Sequence, residues 1–139
     1  MYEFEAERTS AKARTVVWIV AIGAAHFLLG TRAHSVHGLH VVLAGLFLIP
    51  VLIASGAFAV RGGILAAAAV SAVYVSHLLW SWRDSAMANP DQYGMVGVYF
   101  TVGIAAGRLA AIANWRRAQR DEVIRRANAA ERSGGSVHP

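Results

Sequence analysis

The sequence predicts an all-α protein, an integral membrane four-helix bundle with a cytoplasmic helical extension at its C-terminus. Two observations carry this prediction: how few residues are charged, and where they lie. Charged residues make up 15% of the 139, against about 25% in an ordinary soluble domain. Between Thr15 and Ala106 the only charged residues are Arg32, Arg61, Arg83, Asp84 and Asp91. A region this apolar has no polar face for water, which excludes a soluble enzyme domain and a disordered chain.

Apolar stretches between these charges are long enough to form four membrane spans. A spanning helix needs about 20 mostly apolar residues, because its backbone amides must be satisfied within the segment. The second stretch contains Pro50, which predicts a kink, and the turn before the third is predicted at Arg61-Gly62-Gly63. The four predicted spans are residues 15–32, 39–60, 62–82 and 93–115.

The distribution of basic residues predicts the orientation of these spans. Basic residues near span ends favour the cytoplasmic side, and the segment 116–139 is rich in arginine. An even number of spans then places the N-terminal segment 1–14 on the same side. The connectors 31–38 and 83–92 face outward. We therefore expect a multi-pass membrane protein, with the lipid bilayer as its environment and both termini cytoplasmic.

Histidines concentrate at the outer ends of the predicted spans. His26, His40 and His77 lie at similar shallow depth, and His37 lies one helical turn before His40. Imidazole is the commonest biological metal ligand and suits zinc, copper and haem iron. We predict His26, His37, His40 and His77 as metal ligands, with His34 and Met95 as marginal additions and copper or zinc as the ion.

A short internal similarity supports the matching depth of two of these histidines. Residues 20–29 resemble residues 71–80, and the alignment pairs His26 with His77. Both segments run from the inside to the outside in the predicted topology. The two histidines are therefore expected at the same height.

Other chemistry is not indicated by the sequence. There is no cysteine, and hence no disulfide, thiolate ligand or cysteine nucleophile. No enzyme motif occurs and no carboxylate lies inside a span, so we expect neither an enzyme nor a nucleic-acid-binding protein. The small residues around Gly103 and Gly107 predict a helix-packing face. That face contacts either the rest of the chain or a partner, which would be another membrane protein or a second copy.

Several of these segments occur in an order that resembles a known module. The order is His34-x-x-His37, Leu46 to Pro50, Arg61-Gly62-Gly63, Tyr74 to Trp80, Asn89 to Gln92 and a glycine-containing span with an arginine-rich exit. Residues 25–120 are similar to the N-terminal four-span membrane module of bacterial two-component sensor histidine kinases. The resemblance implies a membrane input role and a location in the bacterial inner (cytoplasmic) membrane. It does not imply kinase activity, since no kinase domain follows within the 139 residues, and Ser76 replaces an expected proline.

Taken together, these features lead us to expect a small membrane protein whose outward-facing histidine cluster binds a metal ion or metallocofactor. Its role would be sensor-like, in signal transduction, or metal-handling. The alternative is an accessory subunit of a larger membrane complex. That subunit would bind haem or another tetrapyrrole through His26 and His77, bind a quinone, or serve a purely structural role.

Overall fold

The chain is all-helical throughout the part that the structure describes. The computed structural model describes residues 2–30, 37–81 and 90–134, and no strand occurs in these ranges. The predicted all-α class is therefore confirmed. The elements are α1 (Tyr2–Gly30), α2 (His37–Leu46), α3 (Leu48–Ser81) and α4 (Pro90–Gly134).

Three helical stretches among the described residues are long and apolar enough to cross a membrane. They are Glu5–Leu29, Leu39–Trp80 and Tyr93–Arg132. The first stretch begins ten residues before the predicted span 15–32, because α1 begins at Tyr2. The last stretch ends 17 residues after the predicted span 93–115, because α4 continues to Gly134. The end of α4 is exposed and carries ion pairs from Glu122 to Arg125 and Arg126, at 2.8 and 2.9 Å.

A break between α2 and α3 lies where Pro50 predicts a kink. Proline has no N–H to donate to the carbonyl four residues earlier, and its ring crowds that carbonyl. For Pro50 that carbonyl belongs to Leu46, which is the last residue of α2. At the break the chain makes a turn with three-residue spacing, in which the Phe47 N–H donates to the Ala44 carbonyl at 3.3 Å.

The long stretch that contains α3 folds back on itself instead of running straight. The imidazole centroids of His40 and His77 lie only 5.6 Å apart, whereas a straight helix would separate them by roughly 55 Å. The reversal occurs at Ala59, whose φ of 54° and ψ of −145° are non-helical. Residues 37–58 and 60–81 thus lie side by side.

The predicted turn at Arg61-Gly62-Gly63 is displaced by two residues, and the reason is steric. Gly62 and Gly63 are helical and do not form the turn, since no described glycine has a positive φ. Their role is close packing. A Cβ on Gly62 would collide with the Ala54 carbonyl oxygen, and one on Gly63 with the Gly103 carbonyl oxygen. Gly62 and Gly63 are therefore needed to let the helix backbones approach closely beside the turn. The turn itself is made by Ala59, which adopts the non-helical backbone conformation.

Most of the interhelical packing joins α3 to α4, and α1 also packs against α3. The Ser55 hydroxyl lies 2.7 Å from the Val51 carbonyl oxygen and 3.1 Å from that of Gly103, so it bridges the two helices. The completely buried side chains near this seam include Phe47, Val51, Val70, Tyr74 and Tyr99.

Candidate metal centre

Three histidines from three helices meet at one end of the molecule. His26 lies four residues before the end of α1, His77 four residues before the end of α3, and His40 in the first turn of α2. Because α1 and the second half of α3 are parallel neighbours, with Phe27 packed on His77 at 5.0 Å, their histidines reach the same height. The structure therefore brings together His26, His40 and His77, which the sequence predicts at one depth.

His26 is the centre of this cluster. Its ring centroid lies 4.5 Å from that of His40 and 4.6 Å from that of His77. One ligand nitrogen from each residue can be chosen so that all three lie within 4.8 Å of one another. The His26 and His77 rings are nearly perpendicular, at 89°.

All three imidazoles are buried. His26 and His77 are 0% exposed and His40 is 6% exposed. Neither ring nitrogen of His26 has a hydrogen-bond partner among the described residues. Burial of an unpaired polar group is unfavourable, so packing alone does not account for an imidazole at this position.

The spacing of the nitrogens is close to that of a metal site. Metal–nitrogen bonds of about 2.0–2.1 Å hold the ligand atoms of one ion roughly 3.5 Å apart. The three nitrogens would therefore have to approach by about 1 Å, a displacement of the size that a small side-chain rotation within one rotamer produces. The described group contains only histidine and no carboxylate, and a set of neutral nitrogen donors suits copper and zinc.

Aromatic rings surround the histidines on their buried side. Tyr74, one turn before His77, lies 5.7 Å from His26 and 5.9 Å from His40 between ring centroids. Phe47, at the break between α2 and α3, lies 5.7 Å from His26. Bulky neighbours of this kind restrict imidazole movement and lie between the cluster and the rest of the bundle core.

Tyr99 of α4 supports this aromatic layer without contacting the histidines. Its ring lies 6.0 Å from Tyr74 and 6.3 Å from Phe47, and its hydroxyl donates to the Ala44 carbonyl at 2.7 Å. That carbonyl lies at the break before Pro50, where the regular helical bond is interrupted. Tyr99 therefore stabilises the end of α2, the helix that carries His40.

We expect Tyr99→Phe to reduce the free energy of unfolding by about 1 kcal/mol, because the Ala44 carbonyl loses the Tyr99 hydroxyl and keeps only the bond from the Phe47 N–H. Chemical denaturation in detergent measures the change. Tyr93→Phe is the matched control, since Tyr93 is 46% exposed on the same helix, and it should change stability by less than about 0.5 kcal/mol. Equal effects of the two substitutions would contradict the assigned role of Tyr99.

The remaining residues that the sequence singles out have different positions. His37 is the first residue of α2, but its side chain and all of His34 lie outside the described part of the chain. Met95 is half-buried and packs against the hydrophobic core. Gly103 contacts Gly63, and Gly107 contacts Val60, both on α3. The packing face around these two glycines therefore contacts the rest of the chain, which is one of the two alternatives that the sequence leaves open.

Sequence reasoning did not single out Tyr74, Phe47 or Tyr99 as surroundings of the cluster. A signal for Tyr74 was present, because it lies three residues before His77 and so shares its helix face. Nothing local indicates that Tyr99 reaches Ala44, since that contact joins residues far apart in the chain. It depends on how α4 is rotated against α2.

No protein-family model matches this chain, and neither a curated protein nor a solved structure is significantly similar to it. What the three histidines can do must therefore follow from their own geometry and chemistry.

Proposed function

We propose that the chain is a four-span bundle of the bacterial inner membrane with both termini in the cytoplasm. The reversal at Ala59 supports four spans, because each half of residues 37–81 is about 20 residues and roughly 30 Å long, which matches the hydrocarbon core. Large apolar side chains are exposed on the outside of the bundle, including Val17, Leu28, Leu65 and Trp80. The arginines at the end of α4 support a cytoplasmic C-terminus.

Within this bundle we propose that His26, His40 and His77 bind one transition-metal ion. The observation that carries the proposal is the convergence of three buried imidazoles from three helices, with ligand nitrogens within 4.8 Å. The two unpartnered nitrogens of His26 add to it, because a bound ion would satisfy one of them. In the proposed topology this site lies at the outer face of the membrane.

The surroundings favour monovalent copper over zinc. Transfer of an ion from water to an apolar environment becomes more costly as its charge increases, and this site has no carboxylate among the described residues to offset a second charge. Structural zinc usually has four ligands, and catalytic zinc adds a water to three protein ligands. Three buried imidazoles suit a singly charged ion better.

A tetrapyrrole fits the geometry less well than a bare ion. Two axial histidines hold haem with the macrocycle between their rings. Here His26 lies in direct ring contact with both His40 and His77, at 4.5 and 4.6 Å between centroids. A haem, quinone or purely structural role is therefore an alternative outcome of the test below.

The position of α4 supports a sensor-like role for the metal site. A single helix carries Tyr99, which supports the aromatic layer around the cluster, and continues into the exposed arginine-rich end. A change in the packing of Tyr99 would be transmitted along a rigid helix. This arrangement agrees with the resemblance to the input module of sensor kinases, while a metal-handling role uses the same site.

The test is metal content and an absorption spectrum of the protein purified in mild detergent without a polyhistidine tag. We expect about one copper per chain after incubation with Cu(I) and dialysis against a competing chelator. The triple variant His26→Ala/His40→Ala/His77→Ala should retain less than a tenth of that amount. His37→Ala and His138→Ala serve as controls, and a normal content in His37→Ala would limit the site to three histidines.

Folding of the triple variant is checked by circular dichroism and by size-exclusion chromatography. The single variant His40→Ala, at the edge of the cluster, provides a milder second measurement and should lower copper affinity at least tenfold. A protein that takes up no copper or zinc would overturn the metal proposal. An absorption band of haem, or extraction of a quinone, would replace it with the corresponding alternative.

A further inference from the structure

A groove of about 450 Å³ lies between α1 and α3, at the end of the bundle opposite the histidines. Three basic residues lie at its mouth: Arg8, Lys12 and Arg61. Its walls are apolar, with Val16 and Ile19 on α1 and Leu65 and Ala69 on α3. No acidic residue is among those that line it.

The polarity of the groove changes in one direction along its length. Residues spaced three or four apart share one helix face, and on α1 that face passes from Arg8 and Lys12 to Val16. The facing residues of α3 pass from Arg61 to Leu65 and Ala69. The two helices run parallel here, because Gly23 meets Val73, and Phe27, four residues later, meets His77, also four residues later, so both basic ends coincide.

The basic end is built around an aromatic ring. The Arg8 guanidinium lies 5.3 Å and the Lys12 ammonium 5.9 Å from the ring centroid of Phe58. Cation–π contacts of this kind orient the two cations. A second cavity is lined by Glu7 and Asp121, and Arg8 lies between the two cavities because it lines both. The groove therefore presents cations on one side and apolar surface on the other.

The groove is open at its side. Val16 is 59% exposed and Leu65 is 72% exposed, so their side chains form walls that a long apolar chain can enter laterally. The cations lie where the predicted topology places the cytoplasmic membrane surface. Anionic lipids in the cytoplasmic leaflet attract basic residues at this depth.

We propose that this groove binds one anionic phospholipid. The headgroup phosphate contacts Lys12 and Arg61, with Arg8 beside them, and an acyl chain packs between Val16 and Leu65. Lys12 and Arg61 select an anionic headgroup by charge, since no acidic residue is among those that line the groove, and the apolar walls select a lipid over a soluble phosphate. The proposal rests on the proposed membrane location but not on the metal site.

The experiment uses the full chain in nonionic detergent and native mass spectrometry, with phosphatidylglycerol and phosphatidylcholine of identical acyl chains as probes. We expect one phosphatidylglycerol to bind at a concentration at least tenfold lower than phosphatidylcholine. The variant Lys12→Gln/Arg61→Gln should weaken phosphatidylglycerol binding at least tenfold. The charge-matched control Arg116→Gln/Arg120→Gln, on the exposed part of α4, should leave it unchanged.

A second variant tests the acyl-chain contact. Ala69 is exposed, so Ala69→Phe is compatible with folding and should obstruct the apolar part of the groove, weakening lipid binding at least fivefold. The proposal would be overturned by any of three results: equal binding of the two lipids, an equal loss of phosphatidylglycerol binding in the control variant Arg116→Gln/Arg120→Gln, or full competition by millimolar inorganic phosphate. Copper content does not enter these measurements, so their outcome is independent of the proposed metal site. A chain that stays soluble without detergent would refute the proposed membrane location.

Discussion

Replacement of His26 with leucine is expected to make the metal-free protein more stable and, at the same time, to abolish its stabilisation by metal. His26 is completely buried between His40 and His77, and its ring nitrogens have no hydrogen-bond partner among the described residues. An unsatisfied buried polar group costs about 1–3 kcal/mol. Leucine removes that cost and fills a similar volume, so we expect a gain of about 1–2 kcal/mol without metal.

The same substitution removes the central ligand of the proposed site. A ligand at 100 times its Kd stabilises the folded state by about 2.7 kcal/mol, and this gain should disappear in His26→Leu. Denaturant unfolding in detergent, with and without Cu(I), measures both effects. The two changes have opposite signs, which general damage to the fold cannot produce.

The control for this prediction is Ser76→Leu, which adds an apolar side chain at an exposed position next to His77. It should alter neither the metal-free stability nor the response to copper by more than about 0.5 kcal/mol. A strong destabilisation by His26→Leu without metal would mean that the imidazole has a structural role. Copper stabilisation that persists in His26→Leu would refute the proposed ligand set.

Gly103→Leu is expected to disrupt the packing of α4 against α3. A Cβ on Gly103 would lie 2.8 Å from the Gly63 carbonyl oxygen and 3.2 Å from Val51 Cγ1. Two backbones are in contact here, so side-chain rotation cannot relieve the overlap, and the bond from Ser55 to the Gly103 carbonyl would also be strained. We expect a loss of about 3 kcal/mol or more, measured by denaturant unfolding.

Gly97→Leu is the matched control on the same helix. A Cβ at Gly97 would meet no atom within 4 Å, so leucine there should change stability by less than about 0.5 kcal/mol. If Gly103→Leu has the same free energy of unfolding as the unmodified protein, the close packing of Gly63 against Gly103 is contradicted. If Gly97→Leu instead causes loss of a dimer, the contact with a second copy lies on the other face of α4.

Local chemistry explains why much of the helical architecture was predictable. The apolar stretches indicate helices, Pro50 marks the end of α2 through the lost bond at Leu46, and the glycines mark the reversal within α3. The reversal itself was predicted two residues too late. Whether a glycine serves a turn or a close contact depends on the neighbouring helix, and here the Gly103 carbonyl requires Gly63 to have no side chain.

The sequence by itself determined the helical class, the distribution of charge and the shared depth of His26, His40 and His77, because these follow from apolar length and from residue position along each helix. Only the tertiary structure decided that the three imidazoles face one another and that Gly103 packs within the chain. The physical reason is rotation. Depth along a helix is set by residue number, at about 1.5 Å per residue, whereas the direction of a side chain depends on how each helix packs against the others.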